Sequence, residues 1–192
     1  MGRAGPLLSA LLLVSRWIPP GTSTWRTAKN SLIRKVTPDG VVSTLAGSKK
    51  QGRTDGVGTA ASFNMPPEAS MSPIQATTSL RRISSDGEVT TLAGSGRQGH
   101  ADGAGAAASF SFPSGIAVDS TGTFYVTDHN NLIRKVSSGG EVTTFAGSAV
   151  SGRADGKGTS ASFSGPEGSA VDSSGSSLGS WSPQTSTLPS VS

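Results

Sequence analysis

At 192 residues the chain is long enough for one domain of ordinary size, and its 26 glycines and 33% hydrophobic content suit short strands and many turns and argue against a large helical core. It has no cysteine, which excludes disulfides and thiolate metal sites and leaves the redox compartment open. The 16 basic and 12 acidic residues give +4, but without Arg3 and Arg16 the balance is 14 against 12, or +2, so charge argues only weakly for nucleic acid.

Residues 1–24 stand apart from the rest of the chain. Arg3 precedes the apolar run Leu7–Val14, a pattern like the first two regions of a signal peptide. The run falls far short of the roughly 20 residues a membrane span needs, so no membrane span is expected. The other reading is an unrelated start joined to repeat sequence. The chain is secreted if the segment is a true signal peptide and cytoplasmic otherwise.

From Trp25 the chain repeats itself. The first copy runs through Ile33-Arg-Lys-Val36, the turn Asp39-Gly40, Leu45-Ala-Gly47, Asp55-Gly-Val-Gly58 and Phe63. Pro66 to Ser79 should hold the next two strands. It is six residues shorter than its counterpart (Pro66 to Ile83 is 18, Pro113 to Val136 is 24) and carries three prolines, so a disordered or poorly paired stretch is expected over 66–79. The pattern resumes at Leu80-Arg-Arg-Ile83 and continues through Asp86-Gly87, Leu92-Ala-Gly94, Asp102-Gly-Ala-Gly105 and Phe110.

The copy from Phe110 to Ser148 is complete. Ile116–Val118, Phe124–Thr127, Leu132–Val136 and Glu141–Ala146 are apolar, β-branched or aromatic runs separated by turn residues, which predicts a four-stranded antiparallel meander. Gly139-Gly140 suits a two-residue hairpin loop with both residues at positive φ. Neither face of the meander is clearly polar: Val142 and Thr144 point one way, Thr143 and Phe145 the other. Such a sheet is expected to be covered on both sides by neighbours like itself. A last copy begins at Pro166-Glu-Gly-Ser-Ala-Val-Asp172, and the Ser-rich stretch 176–192 is expected to be a disordered tail.

The shifts are 92 − 45 = 47 and 145 − 92 = 53, and several independent anchors share each. A four-stranded repeat of this length is the signature of a β-propeller blade. Pro113-x-Gly-Ile-Ala-Val-Asp119, Phe124-Tyr-Val-Thr-Asp128, Asn131-Leu-Ile-Arg-Lys-Val136 and Val142-Thr-Thr-Phe-Ala-Gly147 resemble the NHL-repeat β-propeller family. The resemblance covers about residues 25–175, and Gly152 to Phe163 looks like the connector between blades in one branch of the family. The expected fold is all-β: a partial, incomplete β-propeller of four-stranded antiparallel NHL-type blades, about two and a half of them. Propellers close with roughly 4 to 8 blades, so the expectation is a fragment of a larger propeller, with a homo-oligomer completing a ring as the other arrangement.

Three sets of residues are candidates for chemistry. The Asp-Gly-x-Gly loops at Asp55, Asp102 and Asp155 each hold one carboxylate, too few for Ca²⁺, and read as turns in which Asp bonds its own backbone. Arg34 and Lys35, Arg81 and Arg82, and Arg134 and Lys135 recur at one blade position. Some NHL propellers bind RNA through a basic face, so the resemblance implies RNA or anion binding by these six. The structural alternative leaves half of each pair solvated and lays the other along a blade edge. His100 and His129 are the only histidines, and no spacing supplies the three converging ligands of a catalytic metal site. No catalytic residue, metal ligand or cofactor site is expected. The leading function is a non-enzymatic scaffold mediating protein–protein interaction with an unidentified protein partner. RNA binding is the alternative, and a metal-dependent propeller enzyme comes third.

Overall fold

The computed structural model describes residues 23–27, 31–63, 78–171 and 177–181. They form short strands grouped in four successive antiparallel sheets. The first holds β1 (Ser23–Thr27), β2 (Leu32–Val36) and β3 (Val42–Ala46) in that order. The second holds β4 (Gly56–Val57), β5 (Leu80–Ile83) and β6 (Glu88–Ala93), with β6 central. The third holds β7 (Gly103–Ala104), β8 (Gly115–Val118), β9 (Phe124–Asp128), β10 (Leu132–Val136) and β11 (Glu141–Ala146), in the order β7-β11-β10-β9-β8. The fourth pairs β12 (Pro166–Val171) with β13 (Ser177–Trp181).

The predicted meander is present as β8 to β11. The structure adds a fifth strand to it. Gly103 and Ala104 of the incoming connector pair with Val142 and Glu141 of β11, and Gly56 and Val57 pair with β6 in the same way. These two connectors therefore cover the outer edges of the blades after them, which removes an unpaired strand edge from each. The hairpin between β10 and β11 also differs from expectation. Gly140 has φ +85° and Gly139 is not in the left-handed region. Gly140 N–H donates to Ser137 O at 2.9 Å, and Ser137 N–H to Glu141 O at 2.9 Å. A tight turn followed by one left-handed glycine needs positive φ only once.

A bulge interrupts each outer strand pair at the same place: between Ile33 and Arg34, Leu80 and Arg81, and Ile133 and Arg134. The extra residue is Leu45, Leu92 or Phe145.

The apolar core lies between sheets. Phe63, Ala61 and Val89 pack with Ile33 and Ala46 at the first junction. Phe110, Ala108 and Val142 pack with Leu80 and Ala93 at the second. Phe63 is 1% exposed and Phe110 0%. Burying a side chain of this kind contributes about 1.5–3 kcal/mol, so the stack holds together through junctions that repeat.

Most of the N-terminal segment 1–24, most of 66–79 and the end of the tail lie outside the described residues. Within the stretch expected as a tail, Ser177–Trp181 is a strand, its backbone paired along β12. Antiparallel pairing satisfies the backbone there, which composition alone does not foretell.

Candidate functional site

The three connectors share one pattern of closing hydrogen bonds, although Gly56 and Gly103 have positive φ and begin short strands whereas Gly156 does neither. In the first, Thr54 N–H donates to Ser62 Oγ at 3.0 Å and Ser62 N–H to Thr54 O at 3.0 Å, while Gly52 N–H donates to Phe63 O at 3.2 Å. Ala101, Ser109, Gly99 and Phe110 repeat this in the second, and Ala154, Ser162, Gly152 and Phe163 in the third. The glycine closing each Asp-Gly-x-Gly run is left-handed: Gly58 at +55°, Gly105 at +52° and Gly158 at +59°.

Onto this loop the next blade places an arginine. Arg81 Nε and Nη2 donate to Asp55 Oδ1 at 2.9 and 2.7 Å. Its Nη1 donates to Ser62 O at 2.7 Å, its Nη2 also to Thr54 O, and its guanidinium lies 4.8 Å from the centre of the Phe63 ring. The other Asp55 oxygen accepts Thr91 N–H at 2.7 Å. At the second junction Arg134 Nη2 donates to Asp102 at 2.6 Å and to Ala101 O at 3.0 Å, Nη1 donates to Ser109 O at 3.1 Å, and the Phe110 ring is 5.3 Å away. Thr144 N–H donates to Asp102 Oδ2 at 3.0 Å. Charge-assisted bonds of this length are strong, and the stacked, multiply bonded geometry is particular to Arg.

Contrary to expectation, these connector aspartates do not turn their carboxylates onto their own backbone. Asp55 and Asp102 reach the following blade. Burial pushes both carboxyls up, but bonds from the threonine N–H and hydroxyl and from the arginine outweigh it and hold both below the usual carboxylate value.

The six recurring basic residues separate. Arg81 and Arg134 are buried, 7% and 0% exposed, and locked in these contacts. Arg82 and Lys135 are exposed, and Arg34 and Lys35 are half-buried. Buried arginines offer no charge to solvent, so an anion-binding face would rest on Lys35, Arg82 and Lys135. Arg34 has no hydrogen-bond partner for its guanidinium among the described residues, and its Nε is buried.

Asp128, absent from the sequence-derived site, is a second carboxylate on Arg134. It is fully buried, 3.3 Å from Nη1, and accepts the N–H groups of Ser111 at 2.9 Å and Asn130 at 3.4 Å. Desolvation dominates there and raises its pKa to about 6 despite those bonds and Arg134. His100 is exposed. His129 is half-buried, its ring 6.4 Å from that of Phe112, with a buried Nε2 that has no hydrogen-bond partner among the described residues. Among the described residues no group of three or more His, Asp or Glu side chains is placed to hold a metal ion, and no helix is long and apolar enough to cross a membrane.

Antiparallel blades stacked face to face, the two middle ones edged by a strand from the connector before them, define a propeller-type repeat protein. Residues 110–132, from the buried phenylalanine to the start of β10, match the model of the NHL repeat. The chain is similar to three solved structures: a structural genomics protein of unknown function from Bacteroides thetaiotaomicron (24% identity, TM-score 0.62), an auxiliary nutrient binding protein from the same organism (18%, 0.56) and another from Bacteroides ovatus (16%, 0.50). These alignments cover 83%, 79% and 80% of this chain but 41%, 40% and 41% of those chains, so it spans about two fifths of their length. At such identities the likeness is one of fold. A search of curated proteins finds no match.

Proposed function

We propose that the chain is a non-enzymatic scaffold of NHL-type blades, part of a larger propeller, that presents its outward loops and edges to a protein partner. One observation carries this reading. The recurring charged residues are used twice over to fix one blade against the next, which is what a rigid display surface requires. Two fold neighbours are named as binding proteins, which supports a binding role at the level of fold.

The exposed Arg82 and Lys135, with half-buried Lys35, support a second reading, RNA binding. The two separate in one experiment. The tagged full chain is cross-linked to its surroundings with an amine-reactive reagent and recovered before and after nuclease treatment. The scaffold reading expects protein adducts on Lys35 and Lys135 that survive nuclease. Adducts that vanish with nuclease, and RNA binding that weakens with salt at a log–log slope of about −2 for three phosphate contacts, would replace it with the second.

A further inference from the structure

We infer that the two ends of the blade stack are complementary halves of the junction that occurs twice inside it, so that the Asp155 connector of one copy of the chain docks on the Arg34 strand of a second copy, head to tail. This goes beyond the scaffold reading, because it concerns the chain's own ends and not its outward face.

At the shifts that relate the blades, Arg34, Arg81 and Arg134 correspond, as do Asp55, Asp102 and Asp155. Two of each are joined: Asp55 with Arg81 and Asp102 with Arg134. Arg34 and Asp155 remain, one at each end, and neither has a side-chain partner among the described residues. Their charges are opposite. The Asp155 connector already holds the closing hydrogen bonds of the two docked ones, with Ala154 N–H on Ser162 Oγ at 2.8 Å and Gly147 N–H on Gly158 O at 3.1 Å, and differs from them at Gly156, which has no strand partner among the described residues and no positive φ.

The packing surfaces agree. Val42, Val89 and Val142 occupy one repeat position. The latter two, covered by a connector, are 0% and 1% exposed, whereas Val42 is 51% exposed. A Cβ on Gly87 would lie 2.4 Å from Leu45 O and one on Gly140 2.3 Å from Leu92 O, while one on Gly40 meets nothing within 4 Å. At the other end, Leu45 and Leu92 pack into the two junctions, but Phe145, their equivalent, is 43% exposed. Gly58 N–H and Gly105 N–H donate to Gly87 O and Gly140 O at 2.9 and 3.0 Å. Gly158 N–H and Gly40 O are the matching donor and acceptor, one at each end.

A contact between different patches on identical copies is heterologous and builds either a closed ring or an open row. Here it makes a composite blade from β12 of one copy and β1, β2 and β3 of the next. By repeat position β13 and β1 are both second strands, so β13 gives up its pairing with β12 to the incoming β1.

The test is light scattering of the full chain over a range of concentration, with Arg34→Asp, Asp155→Arg and their equimolar mixture. Wild type is expected to assemble in whole multiples of the protomer. Each reversal sets like charges against each other and weakens assembly about tenfold or more. The mixture restores it, because Asp155 of the first variant meets Arg34 of the second. If a reversal unfolds the chain by circular dichroism, Asp155→Asn and Arg34→Gln remove the pair without repulsion and must still weaken assembly. A wild type that stays monomeric, reversals that leave the masses unchanged, or a mixture that does not recover would each overturn the inference; the first leaves the ends to blades of another polypeptide.

Discussion

Asp102 and Arg134 lie 32 residues apart in sequence and 2.6 Å apart in space, and the contact ties a connector to the blade that follows it. Arg134 is also the counter-charge of buried Asp128. Removing it leaves a buried carboxylate unpaired, so Arg134→Ala is expected to cost about 3–5 kcal/mol. Arg134→Lys keeps the charge but loses the planar fork and is also expected to destabilise. Arg34→Ala, at the equivalent position without a side-chain partner among the described residues, should stay within about 1 kcal/mol. Denaturant unfolding of the three variants checks the order.

The carboxylate side of the same contact gives an independent comparison. Asp55→Asn and Asp102→Asn each weaken hydrogen bonds to a buried guanidinium and are expected to cost about 1–3 kcal/mol. Asp155→Asn alters a loop closed by the same hydrogen bonds that touches no arginine among the described residues, and should stay within about 0.5 kcal/mol. Measured at protein concentrations where the chain is monomeric, equal effects at the three sites would mean that the arginine contact adds nothing to stability.

Two carboxylates on one guanidinium titrate in opposite senses. Asp128, raised from 3.8 to about 6 by burial, holds a proton in the folded state that it has lost in the unfolded state between those values. Its contribution to stability is therefore greatest below its ordinary value and is lost as pH rises toward about 6. Asp55 and Asp102 are lowered, so their contribution is present above the ordinary carboxylate value and is lost as pH falls through their folded values. The melting temperature of wild type should rise as pH falls from about 6 toward 4 and drop below that. In Asp128→Asn the rise should disappear and the drop persist. A variant that keeps the same rise would assign it to another group.

Blade repetition, strand positions and the correspondence of the three connectors are legible in the sequence because they rest on patterns several residues long. The fifth strand is not, since two residues such as Gly103 and Ala104 carry no alternation. The arginine contact left a trace. Arg134 stands between Leu132 and Val136 at spacing two, which places it on their buried face and Lys135 on the other. Aspartate, arginine and threonine also move together under the repeat shifts. What hid the pairing is distance: 26 residues separate Asp55 from Arg81 and 32 separate Asp102 from Arg134, the difference being the six residues missing from 66–79. Asp128 could not be found this way, because only the complete blade shows it.

The hairpin glycines separate backbone strain from contact between blades. Gly40, Gly87 and Gly140 have φ of +82°, +87° and +85°, so alanine at any of them carries the same left-handed strain, about 1–2 kcal/mol. At Gly40 nothing else is met, and that strain should be the whole cost. At Gly87 and Gly140 the added methyl would meet a backbone carbonyl of the preceding blade at 2.4 and 2.3 Å, so the blades must separate to admit it. Gly87→Ala and Gly140→Ala should therefore unfold at clearly lower denaturant than Gly40→Ala in the monomeric chain. In the assembled chain Gly40 faces the carbonyl of Phe145 from a neighbouring copy. Gly40→Ala should then weaken assembly while leaving monomer stability near that set by strain alone, an outcome read by comparing light scattering with unfolding on the same sample.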